Sequence, residues 1–205
     1  MSLPPRLQEL RRRLDSGRPG VSARRALSPV PHRGRLSAQA PPDARPAAVL
    51  MLLVAEDGLW LPLMRRQIVR GDLHSGQISL PGGSFQAGEN AVEAALRESQ
   101  EELGLAPDRV EVLGELAPQW IPVSGYVVHP VVGVSAARQA LVCDPSEVEL
   151  GFWTDLEHLL QAPVLERPGQ RAGQSFTMRG WELEQGFLWG ATAMILAELL
   201  ATLRD

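Results

Sequence analysis

GSFQAGENAVEAALRESQEELGL, residues 83–105, is the stretch on which the reading of this chain turns. Glu98, Glu101 and Glu102 are spaced so that, at about 100° per residue, they share an arc of roughly 100° on a helix. Val92, Leu96, Ser99 and Leu103 fall on a different arc, at the i, i+4, i+7, i+11 spacing of a buried stripe. The pattern predicts a helix with one core face and one acidic face. Asn90 is the expected N-cap with Glu93 as its capping-box partner, and Gly104 is the expected stop. Glu98 and Glu102 repel each other by roughly 0.2–0.5 kcal/mol in an isolated helix. A hard divalent cation, Mg²⁺ or Mn²⁺, removes that penalty and bridges carboxylates to phosphate oxygens.

The loop before the helix suits the same chemistry. Pro81-Gly82-Gly83 has backbone freedom that other residues lack, and its main chain can approach a metal or ligand closely, which makes Gly83 a candidate metal contact beside Glu98, Glu101 and Glu102. Arg97 adjoins Glu98 and is assigned an ion pair with Glu89 that braces the loop against the helix.

This segment resembles the Nudix hydrolase box, G-x5-E-x7-R-E-U-x-E-E-x-G-U, where U is apolar. Gly83, Glu89, Arg97, Glu98, Glu101, Glu102, Gly104 and Leu105 match at the right spacing, and Ser99 stands where a bulky aliphatic is common. The resemblance implies a Nudix fold over about residues 47–203, mixed β-sheets sandwiched between helices. It also implies hydrolysis of a nucleoside diphosphate linked to another moiety. Cation held by Glu98 and Glu102 would neutralise the anionic oxygens that slow attack on a phosphoanhydride. Glu101 is the first candidate for a further metal ligand or for the general base, with Glu147 and Glu149 as rivals from a later loop-to-strand segment.

Residues 63–83, LMRRQIVRGDLHSGQISLPGG, look like the additional motif of the coenzyme A pyrophosphatase branch, roughly L-L-T-x-R-S-x3-R-x3-G-x3-F-P-G-G. Arg65, Arg70, Gly76 and Pro81-Gly82-Gly83 match. Met64 lacks the usual preceding threonine, Arg66 replaces a small residue, two extra residues follow Arg70, and Leu80 replaces Phe. IPVSGYVVHPVVG (residues 121–133) and LWGATA (residues 188–193) also resemble that branch. The resemblance implies cleavage of coenzyme A or its derivatives to 3′,5′-ADP and 4′-phosphopantetheine or its acyl form. A guanidinium fork suits the 3′-phosphate, with Arg65, Arg66 and Arg70 as candidates. Tyr126 is assigned to the core rather than to adenine stacking, and His74 and His129 to structural roles. ADP-ribose, NADH or a nucleoside triphosphate are the alternative substrates. A non-catalytic nucleotide-sensing module is the alternative class, although such modules usually lose box carboxylates that this chain keeps.

The rest of the sequence bounds these readings. The 205 residues suit one domain with appendages. Cys143 is the single cysteine, so an internal disulfide is excluded and a reducing, cytoplasmic setting is expected. All 20 basic side chains are Arg. Ten lie in residues 1–46 against only Glu9, Asp15 and Asp43, so an Arg/Pro-rich arm precedes an acidic domain at 47–205. Leu7, Leu10 and Leu14 predict one short amphipathic helix in the arm, followed by a Pro-punctuated linker packed on the domain or on the partner subunit of a homodimer. An anion-attracting flap and an organelle transit segment are the rival readings. The acidic domain and the absence of aromatics within the arm argue against nucleic acid. No stretch reads as a membrane span.

Strands are expected over residues 47–54, 59–64 (a hairpin across Asp57-Gly58), 77–80, 110–117, 126–134 and 150–153, with a hairpin over 175–183. Helices are expected through Leu160 and over 189–203.

Overall fold

The run AAVLMLLV at residues 47–54 has no polar side chain, so a strand built from it must be covered on both faces. The computed structural model describes residues 3–16, 21–32, 40–69, 74–171 and 173–204. Among the described residues the large mixed sheet comprises β1 (Arg45–Ala55), β2 (Leu59–Arg66), β3 (Ile78–Ser79), β4 (Gly82–Ser84), β5 (Glu111–Glu115), β6 (Gln119–Ile121), β7 (Tyr126–Ser135) and β8 (Val148–Asp155). β1 runs parallel to β7 in the centre, from Arg45 opposite Tyr126 to Val54 opposite Ser135. The other ladders are antiparallel: β2 joins β1 to β3 and β8, β4 pairs with β1, and β5 and β6 pair with β7.

Five helices flank this sheet among the described residues: α1 (Pro5–Ser16), α2 (Arg24–Leu27), α3 (Ala91–Leu103), α4 (Leu156–Gln161) and α5 (Gly190–Arg204). Alternate residues of β1 feed two cores. Ala48, Leu50 and Leu52 pack with Ala91, Ala94, Ala95 and Leu103 of α3. Met51 and Leu53 pack with Leu7, Leu10 and Leu27 of α1 and α2, Leu156 and Leu159 of α4, and Ile195, Leu196 and Leu199 of α5. This is the expected α/β sandwich, and apart from the hairpin at 175–183 the expected strands and helices lie where the patterns put them.

Three expectations need correction. The hairpin expected over 175–183 does not form: those residues lie in one strand, β10 (Gln174–Leu183), the middle of a separate three-stranded antiparallel sheet with β9 (Leu165–Arg171) and β11 (Gly186–Trp189), in the order β11-β10-β9. LERPGQR in β9 is almost wholly exposed and contains Pro and Gly, so it lacks any apolar alternation by which a strand is recognised. Residue 46 is no boundary of the core, because α1 and α2 contribute fully buried leucines to it. Arg24 of α2 is buried too. It donates from Nε to Glu198 of α5 at 2.5 Å, from Nη1 to Pro118 O at 3.0 Å and Gln119 Oε1 at 2.9 Å, and from Nη2 to Ala117 O. An arm held by a buried ion pair belongs to the body of the domain.

The third correction concerns α3. Its buried side chains are Ala91, Ala94, Ala95, Ser99, Glu102 and Leu103, whereas Val92 and Leu96 are only half-buried. The core and acidic faces overlap, because small alanines let the helix settle so close to β1 and β4 that Glu102 is carried inward. Ser99 satisfies its hydroxyl by donating to Leu96 O at 3.0 Å. Both ends form as expected. Asn90 accepts from the Val92 and Glu93 amides at 2.9 and 3.0 Å, Glu93 accepts from the Asn90 amide at 2.9 Å, and Gly104 adopts φ 69°. Asn90→Ala should therefore cost about 1 kcal/mol in urea unfolding. An unchanged midpoint would show that tertiary packing alone sets this helix start.

Candidate active site

The Gly-Gly loop is where the sheet and α3 meet. Gly82 and Gly83 pair with Val49 and Ala48 of β1. Gly82 has φ 150°, and a Cβ there would lie 2.1 Å from Ala48 O, so only glycine fits. Gly83 has a backbone open to any residue, but a Cβ would lie 2.5 Å from both Cδ and Oε2 of Glu98. The loop thus seats two carboxylates. The Gly82 amide donates to Glu102 Oε2 at 2.7 Å, and Glu98 lies directly against Gly83. Gly83→Ala should keep the fold but displace the Glu98 carboxylate, lowering kcat by about 10²-fold. A melting curve like that of the wild type together with full turnover would show that this close approach is unimportant.

Arg97 organises the outer side of the helix. Its Nε donates to Glu89 Oε1 at 2.6 Å and its Nη2 to Glu89 Oε2 at 3.1 Å and Ser84 O at 3.0 Å. Its Nη1 donates to Glu98 Oε1 at 2.9 Å and Glu101 Oε2 at 2.8 Å. Arg97 and the Gln86 amide hold the Glu89 carboxyl below its usual range. One guanidinium therefore ties the loop to the helix and steers Glu98.

Glu102 is 2% exposed. Burial pushes its pKa up to about 8, with the Gly82 amide opposing and Glu98 and Glu147 reinforcing the rise. Glu98 is raised as well, chiefly by burial, against the pull of Arg97. Glu147 reaches this pair because residues 142–147 dock on the end of α3. The Val142 amide donates to Leu103 O at 2.9 Å, the Asp144 amide to Glu102 O at 3.0 Å, and the Gln67 amide to Glu147 O at 2.8 Å. Arg66 stands 3.9 Å from Glu102 Oε1.

These groups form one end of a cavity of about 760 Å³. Glu98, Glu102, Glu147, Arg66, Gly82 and Gly83 line it, as do Ile121 to Ser124, Tyr126, Phe176 and Trp189 to Thr192. The remaining sequence candidates are placed elsewhere. Glu101, 55% exposed at its side chain, is held by Arg97 and is not in the lining. Glu149 forms a two-pronged pair with Arg65 at 2.9 and 2.9 Å, which keeps both out of the lining. Arg65 and Arg66 diverge because adjacent strand residues face opposite ways. Arg70 lies outside the described residues. Tyr126 is in the cavity wall rather than the core, with the Arg45 guanidinium 4.1 Å from its ring centroid and Ser84 Oγ donating to its hydroxyl at 3.0 Å. His74 is in the wall and lies 3.3 Å from Gln77 Oε1, and His129 stacks obliquely on Phe85. Sequence reading missed Arg171, Gln174 and Phe176, which line the cavity from the second sheet. Their strands carry no motif that could have marked them.

The donor chemistry fits a divalent cation. Glu98 and Glu102 are hard oxygen ligands in a place where burial and mutual repulsion disfavour two bare negative charges. Among the described residues no three acidic, His or Cys side chains form a complete cage. Among the described residues no helix is long and apolar enough to cross a membrane.

The NUDIX domain family model matches residues 44–173. The Nudix hydrolase NudL of Pectobacterium atrosepticum is 36% identical over 185 residues, 83% of this chain and 92% of its own. That of Escherichia coli K12 is 37% identical over 159 residues, 76% of this chain and 81% of its own. Among solved structures, a MutT protein from Methanosarcina mazei covers 77% of this chain and 92% of its own at 16% identity and a TM-score of 0.49. With the box on α3, the carboxylates gathered at the Gly-Gly loop and relatives of this likeness, the chain belongs to the Nudix hydrolases, enzymes that act on phosphoanhydride bonds.

Proposed function

We propose that this enzyme is a divalent-metal-dependent pyrophosphohydrolase that opens the diphosphate of coenzyme A or an acyl derivative, releasing 3′,5′-ADP and 4′-phosphopantetheine or its acyl form. The observation that carries the substrate is convergence. Residues 63–83, 121–133 and 188–193, the three stretches that resemble the coenzyme A branch, are far apart in sequence. They contribute Arg66, Gly82 and Gly83, then Ile121 to Ser124 and Tyr126, then Trp189 to Thr192, to the walls of the one cavity that ends on Glu98 and Glu102. A volume of about 760 Å³ is ample for a nucleotide with a slender extension.

Glu98 and Glu102 would hold Mg²⁺ or Mn²⁺, with the Gly83 backbone beside them. The cation, when bound, supplies positive charge against the diphosphate oxygens as a Lewis acid. Glu147 is the preferred general base, because it lines the cavity, while Glu101 is occupied by Arg97 and Glu149 by Arg65. Arg66 offers N–H donors to a diphosphate oxygen close to Glu102. Arg97 and Glu89 fix the position of Glu98.

The test is a comparison of coenzyme A, dephospho-coenzyme A and ADP-ribose at fixed Mg²⁺, with and without chelator. The expected result is turnover that requires the metal, highest kcat/KM for coenzyme A, and 3′,5′-ADP among the products. Equal rates on all three would remove the 3′-phosphate from the argument, and a preference for ADP-ribose would move the enzyme to another substrate class with the same carboxylate chemistry.

A further inference from the structure

Arg171 closes β9, at the turn into β10, and lines the cavity together with Gln174 and Phe176. It comes from the three-stranded sheet, whereas Glu98 and Glu102 come from α3 and Glu147 from the entry to β8. The cavity is thus walled by two different sheets: the large sheet and its flanking segments bring Glu98, Glu102, Glu147 and Arg66, and the three-stranded sheet brings Arg171.

The arginines of the second sheet are not alike. Arg179 pairs with Glu166 at 2.8 Å, and Arg167 pairs with Glu182. Arg171 has no ion pair among the described residues, and its Nη2 is buried with no hydrogen-bond partner among them. A guanidinium N–H withdrawn from water without an acceptor is unfavourable, and native structures leave few such groups unmatched. An anionic oxygen entering the cavity would satisfy it. The diphosphate is already served near Glu102, where Arg66 stands. A second anion, separate from the diphosphate, is what Arg171 is free to take. Beside it the rings of Phe176 and Trp189, also in the lining, lie 5.8 Å apart and inclined by 32°, a flat apolar wall suited to a purine.

We propose that Arg171 binds a phosphate monoester on the adenosine end of the substrate, its 3′-phosphate, so that this side chain selects 3′-phosphorylated nucleotides over those without that group. The planar fork of Arg171 matches two oxygens of one monoester. The inference deepens the coenzyme A reading and rests on it for the substrate, but it can be examined apart from turnover.

The experiment is calorimetric binding of adenosine 3′,5′-bisphosphate and of AMP to the full-length protein and to its Arg171→Gln and Arg171→Lys variants. The wild type should prefer the bisphosphate by about 10- to 100-fold, the worth of a charge-assisted contact to a phosphate. Arg171→Gln should reduce that preference to about threefold or less, and Arg171→Lys, which keeps the charge without the fork, should lie between. In kinetics the same Gln variant should lower the ratio of kcat/KM for coenzyme A over dephospho-coenzyme A by a similar factor. Equal wild-type affinity for the two nucleotides overturns the proposal. So does a Gln variant that weakens both equally, since a merely structural role would do that, or one that keeps the wild-type preference. Strong preference for the bisphosphate without coenzyme A hydrolysis leaves the subsite standing and removes the proposed reaction. Hydrolysis without the preference does the reverse.

Discussion

Glu102→Gln is expected to lower kcat by on the order of 10²–10³-fold while making the metal-free protein more stable at pH 8 than the wild type. Both effects follow from one carboxylate, buried on the packing face of α3 near its C-terminal end with a pKa pushed up to about 8. Gln keeps an acceptor for the Gly82 amide, so the Gly-Gly loop stays seated, but it loses the negative charge that would hold the cation. The stability effect has a definite sign. The native state of the metal-free wild type retains a proton on Glu102 that the unfolded chain gives up near the ordinary glutamate value of 4.5. Stability from this group is therefore intact below that value and declines as pH rises towards about 8. Gln has no charge to bury at any pH, so the variant escapes the decline and should gain about 1–3 kcal/mol at pH 8. Melting curves from pH 5 to 8 in chelator, with turnover in Mg²⁺, test both. Activity within tenfold of the wild type would end the assignment of Glu102 as a metal ligand. A stability difference that does not grow with pH would show that its carboxyl is solvated in the native state.

Arg24→Ala should destabilise the protein by about 3–5 kcal/mol, with no residue of the cavity wall altered. Arg24 is 4% exposed and Glu198 is fully buried. Deleting the guanidinium strands the Glu198 carboxylate inside the core, together with the Ala117 and Pro118 carbonyls that the guanidinium caps. Replacing both members by apolar side chains, Arg24→Met with Glu198→Leu, should recover most of the loss, because the larger part of it is an unpaired buried charge. Urea unfolding of the single and double variants reads this directly. A single variant within about 1 kcal/mol of the wild type would show that α2 unfolds apart from the rest. The ion pair explains why an Arg-rich segment that reads as an arm is part of the hydrophobic body.

The box segment was almost wholly legible because its information is local. The N-cap at Asn90, the stop at Gly104 and the Arg97–Glu89 pair depend on spacings within one helix and its entry loop, and those spacings are written in the chain. The strands of the large sheet were legible for a related reason. A run such as residues 47–54 has to be buried on both faces, and Asp57-Gly58 supplies the turn that follows it. β9 was not legible, since an exposed strand containing Pro168 and Gly169 is held by pairing with β10 rather than by its own pattern.

What the amino-acid sequence determined by itself was the family, the sandwich of sheet and helices, and the set of carboxylates from which a metal site would be drawn. Tertiary structure decided which members of that set meet. Glu98, Glu102 and Glu147 reach one cavity, Glu101 and Glu149 are held elsewhere by Arg97 and Arg65, and Arg171 enters from a sheet that carries no motif. The physical reason is range. Helical phase and capping are set within a few residues, whereas burial, charge pairing and the walls of a cavity depend on segments brought together across the whole chain.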